Sequence, residues 1–391
     1  MEQEEVVVVV VGAGPAGLAV AGCLKVLSIP TVILEREELS ASLWKTKTYD
    51  RLKLHLAKQF CALPHAPHPP AASAYVSRDD FVRYLDDYVE SFKLRPVFRT
   101  AVEAAAFDQR EAGGAGSWRV VARDMGSGEV REFTARFLVV ATGENGEAVV
   151  PEVAGLANFS GEAMHSSCYK CGSGFRGKRV LVVGSGNSGM EIAFDLANFG
   201  AKASIAVRSP FHVMTKEMIY LGMVLVKYLP VKLVDTLLVM LSKIKYGDLS
   251  KFGIVRPKQG PFSIKNATGK SAVIDVGTVA KIKAGEIQVF KEPSRITGKE
   301  VLFSDGRSDQ FDAIIFATGY RSTTSDWLKD DDHMLNKDGF PRKSFPDHWK
   351  GANGIYFSGF ARKGLAGVYM DAVNIANDIM LAWRSNKQLN Y

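Results

Sequence analysis

Cysteine is scarce in this chain. Its four copies, Cys23, Cys61, Cys168 and Cys171, are too few and too scattered over 391 residues for a disulfide framework, which points to a reducing compartment. Positive charge is missing where a secretory leader needs it. The chain opens Met1-Glu2-Gln3-Glu4-Glu5, so the valine run that follows is expected to be a strand and not a leader's apolar core. A clean apolar run is missing too: Met218 to Leu241, the most apolar segment, is interrupted by Lys227, Pro230, Lys232 and Asp235, short of the ~18 residues a spanning helix needs. It reads as amphipathic helices broken at Pro230, either packed in the ordinary way or serving a membrane surface or substrate channel. The C-terminal Trp383-Arg384-Ser385-Asn386-Lys387 is polar, so no transmembrane anchor is expected. There is no basic stripe with aromatics between its charges. The 49 basic and 42 acidic residues are spread, and the net charge of +7 argues for no nucleic-acid partner. His65 and His68 lie in a proline-rich loop with no neighbouring Cys, Asp or third His, so no metal site is expected.

Glycine turns are what the chain does have. Val6 to Val11 form a β-branched run of the kind buried in parallel sheets, followed by Gly12-Ala13-Gly14-Pro15-Ala16-Gly17. Three glycines on the G-x-G-x-x-G spacing let the backbone turn tightly and approach a pyrophosphate at a helix N-terminus. The next strand, Thr31 to Leu34, ends in Glu35, about 20 residues beyond the glycines, where a ribose hydroxyl wants an acidic acceptor. A length prior of about 150 residues per domain suggests two or three domains.

Further along, Phe81 to Phe92 has helical spacing, with Phe81, Tyr84, Leu85 and Tyr88 on one face. Strands are expected at Ala101 to Phe107, Trp118 to Arg123 and Arg131 to Phe137, with glycine-rich turns at Gly113-Gly114 and Gly126 to Gly128. Phe137 to Val140 then reads as a buried parallel strand that ends in Ala141-Thr142-Gly143-Glu144-Asn145. The same Ala-Thr-Gly ending recurs after Ile314-Ile315-Phe316, which suggests chain crossings between domains.

A second fingerprint begins at Val180 and continues through Gly184-Ser185-Gly186-Asn187-Ser188-Gly189. Its following strand, Ala203 to Val207, ends in Arg208-Ser209 and not in an acid. An acid there would repel a 2'-phosphate, whereas a guanidinium pairs with one in bidentate fashion. The contrast with Glu35 assigns FAD to the first turn and NADPH to the second. The fold class is therefore α/β: two doubly wound Rossmann-like dinucleotide-binding domains, the NADPH domain inserted into the FAD domain. The boundaries expected are 1–170 and 305–391 for the FAD domain and 171–304 for the NADPH domain, with the strand at Ala313 to Phe316 returning to the FAD domain.

Two destinations for the electrons are open. Cys168-Tyr169-Lys170-Cys171 has the spacing of a redox pair, but it leads into Gly172-Ser173-Gly174 and not into a helix that would activate a thiolate. The other destination is dioxygen. Phe159 to Lys170 matches the F-x-G-x-x-x-H-x-x-x-Y-K signature, through Phe159, Gly161, His165, Tyr169 and Lys170, and so resembles the class B flavin monooxygenases. Within that group the chain is similar to the YUCCA-type plant enzymes from Val8 to about Asp378. The matching stretches are Tyr49 to Phe60, Gly143 to Gly146, Met164 to Lys170, Asn187 to Asp195, Gly247 to Gly260, Asp275 to Thr278, Phe311 to Arg321 and Gly359 to Gly367.

That resemblance implies an NADPH-dependent oxidative decarboxylation of indole-3-pyruvate, an aryl 2-keto acid, to indole-3-acetate in auxin synthesis, through a flavin C4a-peroxide. Another nitrogen or sulfur nucleophile would fit the same motifs. It further implies that Gly12 to Gly17 and Glu35 hold FAD, that Leu43 and Trp44 border it, that Gly184 to Gly189 with Arg208 and Ser209 hold NADPH, and that His55, Lys58 and Asn145 are catalytic. One departure stands out. His55-Leu56-Ala57-Lys58 occupies the stretch where the broader group has an Asn, then Ser two residues later, then Lys. A histidine there can donate a hydrogen bond or supply a proton. The location expected is cytoplasmic, free or peripheral on the endoplasmic reticulum surface, with the oligomeric state left open.

Overall fold

A computed structural model describes residues 3–109, 116–329 and 334–389. The Gly113-Gly114 turn expected above lies outside them. The chain divides into two compact units, the first made of 1–46, 57–147 and 320–391, the second of 47–56 and 148–319.

In the first unit, β1 (Gln3–Val11) leads through the glycine turn into α1 (Pro15–Val26) and β2 (Thr31–Leu34). A short α2 (Ser42–Thr46) and the longer α3 (Arg78–Ser91) follow. Ser77 caps α3 by accepting from the Asp80 amide, and Phe81, Tyr84, Leu85 and Tyr88 are the face it buries. Strands β3 (Thr100–Asp108), β4 (Ser117–Asp124) and β5 (Val130–Val140) complete the sheet order β2-β1-β5-β4-β3. The stretches read separately as Arg131 to Phe137 and Phe137 to Val140 are one strand. Its first half pairs antiparallel with β4, and from Glu132 to Val140 it pairs parallel with β1. Val8, Val9 and Val10 are fully buried, which explains the unbroken β-branched run.

The second unit holds a five-stranded, all-parallel sheet. Its strands are β6 (Glu162–His165), β7 (Arg179–Val183), β8 (Lys202–Ala206), β9 (Ile287–Phe290) and β10 (Ala313–Phe316), in the order β9-β8-β7-β10-β6. Helix α4 (Asn187–Asn198) follows the second glycine turn, and α5 (Lys216–Leu225) and α6 (Val231–Tyr246) are separated at Pro230 as expected. The chain then returns to the first unit. There β11 (Ile355–Phe357) pairs parallel with β5, and α7 (Leu365–Leu389) ends the described residues.

The units divide the chain elsewhere than at the expected 170/171 and 304/305. Ala313 to Phe316 does not return to the first sheet; it lies between β7 and β6 of the second. The signature Phe159 to Lys170 also lies inside the second unit, because His165 ends β6, which hydrogen-bonds to β10. Ala313 to Phe316 is a four-residue apolar strand, buried along its whole length, and such a strand pairs wherever two buried faces await it.

Candidate functional site

The two glycine turns have the same construction. A Cβ on Gly12, whose φ is +106°, would come within 2.8 Å of the Ala141 carbonyl oxygen, and a Cβ on Gly17 would overlap the Gly12 carbonyl. In the second unit, Gly184 (φ +112°) faces the Ala317 carbonyl, and a Cβ on Gly189 would overlap the Gly184 carbonyl. These four glycines are required by the close passage of backbone on backbone. The middle glycines differ: no protein atom lies within 4 Å of a Cβ built on Gly14 or Gly186. Gly14 and Gly186 are the N-cap residues of α1 and α4, and neither helix has a side-chain cap. The amides that open each helix are thus left for an anion, which fits a dinucleotide pyrophosphate at each turn.

Around the first turn, Glu35 is buried at the end of β2. Its Oε2 accepts from the Ala13 amide at 2.6 Å and its Oε1 from the Glu37 amide at 3.0 Å. Burial pushes the Glu35 carboxyl above its ordinary range, against the downward pull of those two amides. Pro15 and Ala16 begin α1. Ala41 donates to the Ala13 carbonyl, which draws α2 with Leu43 and Trp44 alongside the turn, and the Trp44 ring meets Phe81 edge-on at 4.7 Å. At the carboxyl end of β11, the buried Ser358 hydroxyl has no hydrogen-bond partner among the described residues. An orphaned polar atom at the carboxyl ends of parallel strands fits a ligand seated there. Asn145 is exposed in the turn after β5. Lys58 has a different setting from the one its motif implied. Its ammonium donates to the carbonyls of Pro69, Pro70 and Ala72 at 2.7 to 3.0 Å and so closes the proline-rich loop.

Around the second turn, Asn187 Oδ1 accepts from the Ile274 amide at 2.8 Å, so this side chain fastens the turn and leaves ligand binding there to the backbone amides. Arg208 and Ser209 are exposed just beyond β8. Arg208 makes no ion pair or hydrogen bond with any described side chain, so its guanidinium is open to a phosphate.

The second unit also gathers residues that the motif reading missed. Helix α4 presents Glu191, Phe194 and Asp195 on one face, the i, i+3, i+4 spacing, and the segment 47–56 packs along it. His55 Nε2 lies 2.8 Å from Glu191 Oε1. A carboxylate only accepts, so Nε2 carries the proton of this pair and Nδ1 remains as the ring's second site. The Arg51 guanidinium sits over the Phe194 ring at 4.5 Å. The Tyr49 hydroxyl is buried beside Glu191 and Ser188, and burial holds it well above its ordinary range. Burial also pushes the Lys216 ammonium down, opposed by Glu191. One sequence signal could have pointed to Glu191: it is an acid among Met190, Ile192, Ala193 and Leu196, all of them core residues.

The signature Phe159 to Lys170 is a fastening. His165 is buried, with Nδ1 3.0 Å from the Ser167 hydroxyl and Nε2 3.1 Å from the Gly319 carbonyl. Tyr169 donates to Asp195 Oδ2 at 2.6 Å, and the Gly172 amide donates to the same oxygen. Lys170 donates to the Thr48 carbonyl at 3.1 Å and its own carbonyl accepts from the Asp50 amide, which ties down the segment that carries His55. Of the cysteine pair, Cys168 is exposed, and Cys171 precedes the 3-10 turn Gly172–Phe175, not an α-helix.

The sequence profile of the family described as flavin-binding monooxygenase-like matches residues 5–343. The chain is 54% identical over 376 residues to the probable indole-3-pyruvate monooxygenase YUCCA10 of Arabidopsis thaliana, covering 96% of this chain and 97% of that protein. It is 47% identical over 388 residues to the Arabidopsis indole-3-pyruvate monooxygenase YUCCA6, with 97% and 92% covered. Among solved structures, OTEMO in complex with FAD and NADP has a TM-score of 0.73 at 18% identity, over 97% of this chain and 85% of that one. A flavin monooxygenase mutant from Stenotrophomonas maltophilia has a TM-score of 0.70 at 22% identity, over 97% and 99%. These two structural likenesses speak for the fold.

Proposed function

The chain belongs to the flavin-binding monooxygenase-like family, in its YUCCA-type branch, and from that premise we infer that it is an NADPH- and O2-dependent flavin monooxygenase that converts indole-3-pyruvate to indole-3-acetate in auxin biosynthesis. The substrate assignment is carried by the 54% identity to YUCCA10 over nearly the whole of both chains. The reaction balances. The bond between the keto and carboxyl carbons breaks with loss of CO2, one atom of O2 enters the new carboxylate, and the other leaves as water with the electrons of NADPH and a proton.

FAD, when bound, supplies the redox and oxygen-activating chemistry, and NADPH supplies the electrons. In the first unit, the turn Gly12, Ala13, Gly14, Pro15, Ala16 and Gly17 holds the FAD pyrophosphate, with donors only from those backbone amides that the turn does not itself use, since Pro15 has none and those of Gly12 and Ala13 go to Leu34 and Glu35. Glu35 takes the ribose, and Leu43 with Trp44 borders the site. In the second, Gly184, Ser185, Gly186, Asn187, Ser188 and Gly189 hold the NADPH pyrophosphate, and Arg208 with Ser209 takes the 2'-phosphate. His55 is the proton-handling side chain of the second unit, oriented by Glu191. Asn145, exposed just beyond β5, is the catalytic side chain of the first unit. Lys58 contributes by holding its loop. The setting is the cytoplasm, with peripheral attachment to the endoplasmic reticulum surface.

The test is reduction of the FAD-loaded protein by NADPH without oxygen, then admission of oxygen with and without indole-3-pyruvate, while flavin absorbance and the acid product are followed. Flavin reduction followed by indole-3-acetate only in the complete mixture is the expected result. Reoxidation at equal rates with no acid formed would overturn the assignment.

A further inference from the structure

Helices α5 and α6 carry more apolar surface than their packing uses. On α6, Val234 and Leu238 are fully buried and pack with Met214 as a small core. Two polar residues of the same face are also satisfied. Asp235 accepts from the amides of Phe262 and Ser263 at 2.8 and 3.0 Å, and Ser242 donates to the Val213 carbonyl at 2.8 Å. The inner face of the helix is therefore complete. A surface helix of this kind ordinarily turns polar residues outward.

Here the outward face is apolar. Leu233 is 61% exposed, Met240 51% and Ile244 75%, with Leu237 and Leu241 half-buried between them. This spacing makes one stripe along the helix. Tyr228, 79% exposed, and Leu229 extend it into the turn before α6, and Tyr220 with Leu221 continues it on α5. The charges beside the stripe are mostly of one sign. From Lys216 to Tyr246 the hairpin has Lys216, Lys227, Lys232, Lys243 and Lys245, against Glu217, exposed in the first turn of α5, and the buried Asp235. Among the described residues no helix is long and apolar enough to cross a membrane.

We propose that the α5–α6 hairpin is a docking face for an anionic membrane surface. Its apolar stripe enters the boundary between headgroups and acyl chains, and its lysines engage lipid headgroups. An apolar stripe bordered by lysines, with tyrosines at its rim, is the composition that lies in a membrane interface without spanning it. The sign of the charge distinguishes this occupant from a second copy of the chain, since two like-charged faces would repel one another. The proposal gives a physical seat to the peripheral location assigned above and does not depend on the reaction.

The test is co-sedimentation of the FAD-loaded full chain with vesicles of phosphatidylcholine alone or of phosphatidylcholine mixed with phosphatidylserine, with no substrate present. Binding is expected to the mixed vesicles and to fall steeply as salt is raised. Leu233→Ser with Ile244→Ser, and separately Lys232→Glu with Lys243→Glu, should each weaken it on the order of tenfold or more, with NADPH oxidation unchanged. The charge pair leaves the apolar stripe intact and so guards against loss through misfolding. Absence of vesicle binding, or a concentration-dependent dimer lost in the same variants, would overturn the proposal. Vesicle binding undiminished in both variants would overturn this face while sparing the peripheral location.

Discussion

His55 and Glu191 are 136 residues apart in the chain and share a 2.8 Å hydrogen bond within the second unit. Glu191 stands two residues past Gly189, on the helix that the second glycine turn opens, so the nucleotide turn and the imidazole are fixed to one rigid element. The carboxylate side chain is only 4% exposed. Removing its partner leaves a buried acceptor unsatisfied, at a cost of about 1–3 kcal/mol.

That pair gives the first prediction. His55→Ala should keep FAD bound but lower the indole-3-acetate formed per NADPH consumed, with hydrogen peroxide making up the difference. Glu191→Gln, which keeps the shape and an acceptor oxygen, should lower this coupling less. Product, peroxide and NADPH measured together decide the matter, and unchanged coupling in His55→Ala would remove it from the mechanism.

The glycines of the first turn should separate by role. Gly17→Ala drives a methyl into the Gly12 carbonyl and should yield insoluble or strongly destabilised protein. Gly14→Ala meets no protein atom within 4 Å, so it should fold and lose FAD instead. The circular dichroism spectrum and the flavin content of the purified protein test this. A Gly14→Ala variant that retains full flavin would refute the pyrophosphate assignment.

Arg208 should decide between the nicotinamide cofactors. Arg208→Ala removes charge-assisted hydrogen bonds worth about 1.5–3 kcal/mol, so KM for NADPH should rise at least tenfold while KM for NADH stays nearly constant. Titration with each cofactor is the measurement, and equal effects on both would contradict the 2'-phosphate role.

Tyr169→Phe should act on stability first. The lost hydroxyl leaves Asp195 Oδ2 with the Gly172 amide alone, so the melting temperature should fall by an amount equivalent to about 1–3 kcal/mol. Thermal unfolding of the loaded protein reads this directly. A variant as stable as the parent would show that the signature is not a fastening.

Much of this was legible in the sequence because the determinants are local. A glycine turn needs its glycines wherever it occurs, the acid or guanidinium follows one helix later at the end of the next strand, about 20 residues on, and Pro230 breaks a helix by its own chemistry. What was not legible depends on tertiary neighbours. Ala313 to Phe316 and Phe137 to Val140 are alike in sequence, apolar runs before Ala-Thr-Gly, and nothing in either names the sheet it will join. The segment 47–56 has no clear period, and its place in the second unit rests on bonds to Lys170 and Glu191 far along the chain. Lys58 matched a motif by position, yet its ammonium is engaged by the carbonyls of Pro69, Pro70 and Ala72, which no spacing rule reveals.

The most direct measurement is turnover of indole-3-pyruvate by the FAD-loaded protein with NADPH under isotopically heavy dioxygen. The expected result is one heavy oxygen atom in the carboxylate of indole-3-acetate, with one CO2 released for each NADPH oxidised. Indole-3-acetate carrying no heavy oxygen, or NADPH oxidation that yields only hydrogen peroxide, would contradict a monooxygenase acting on this substrate.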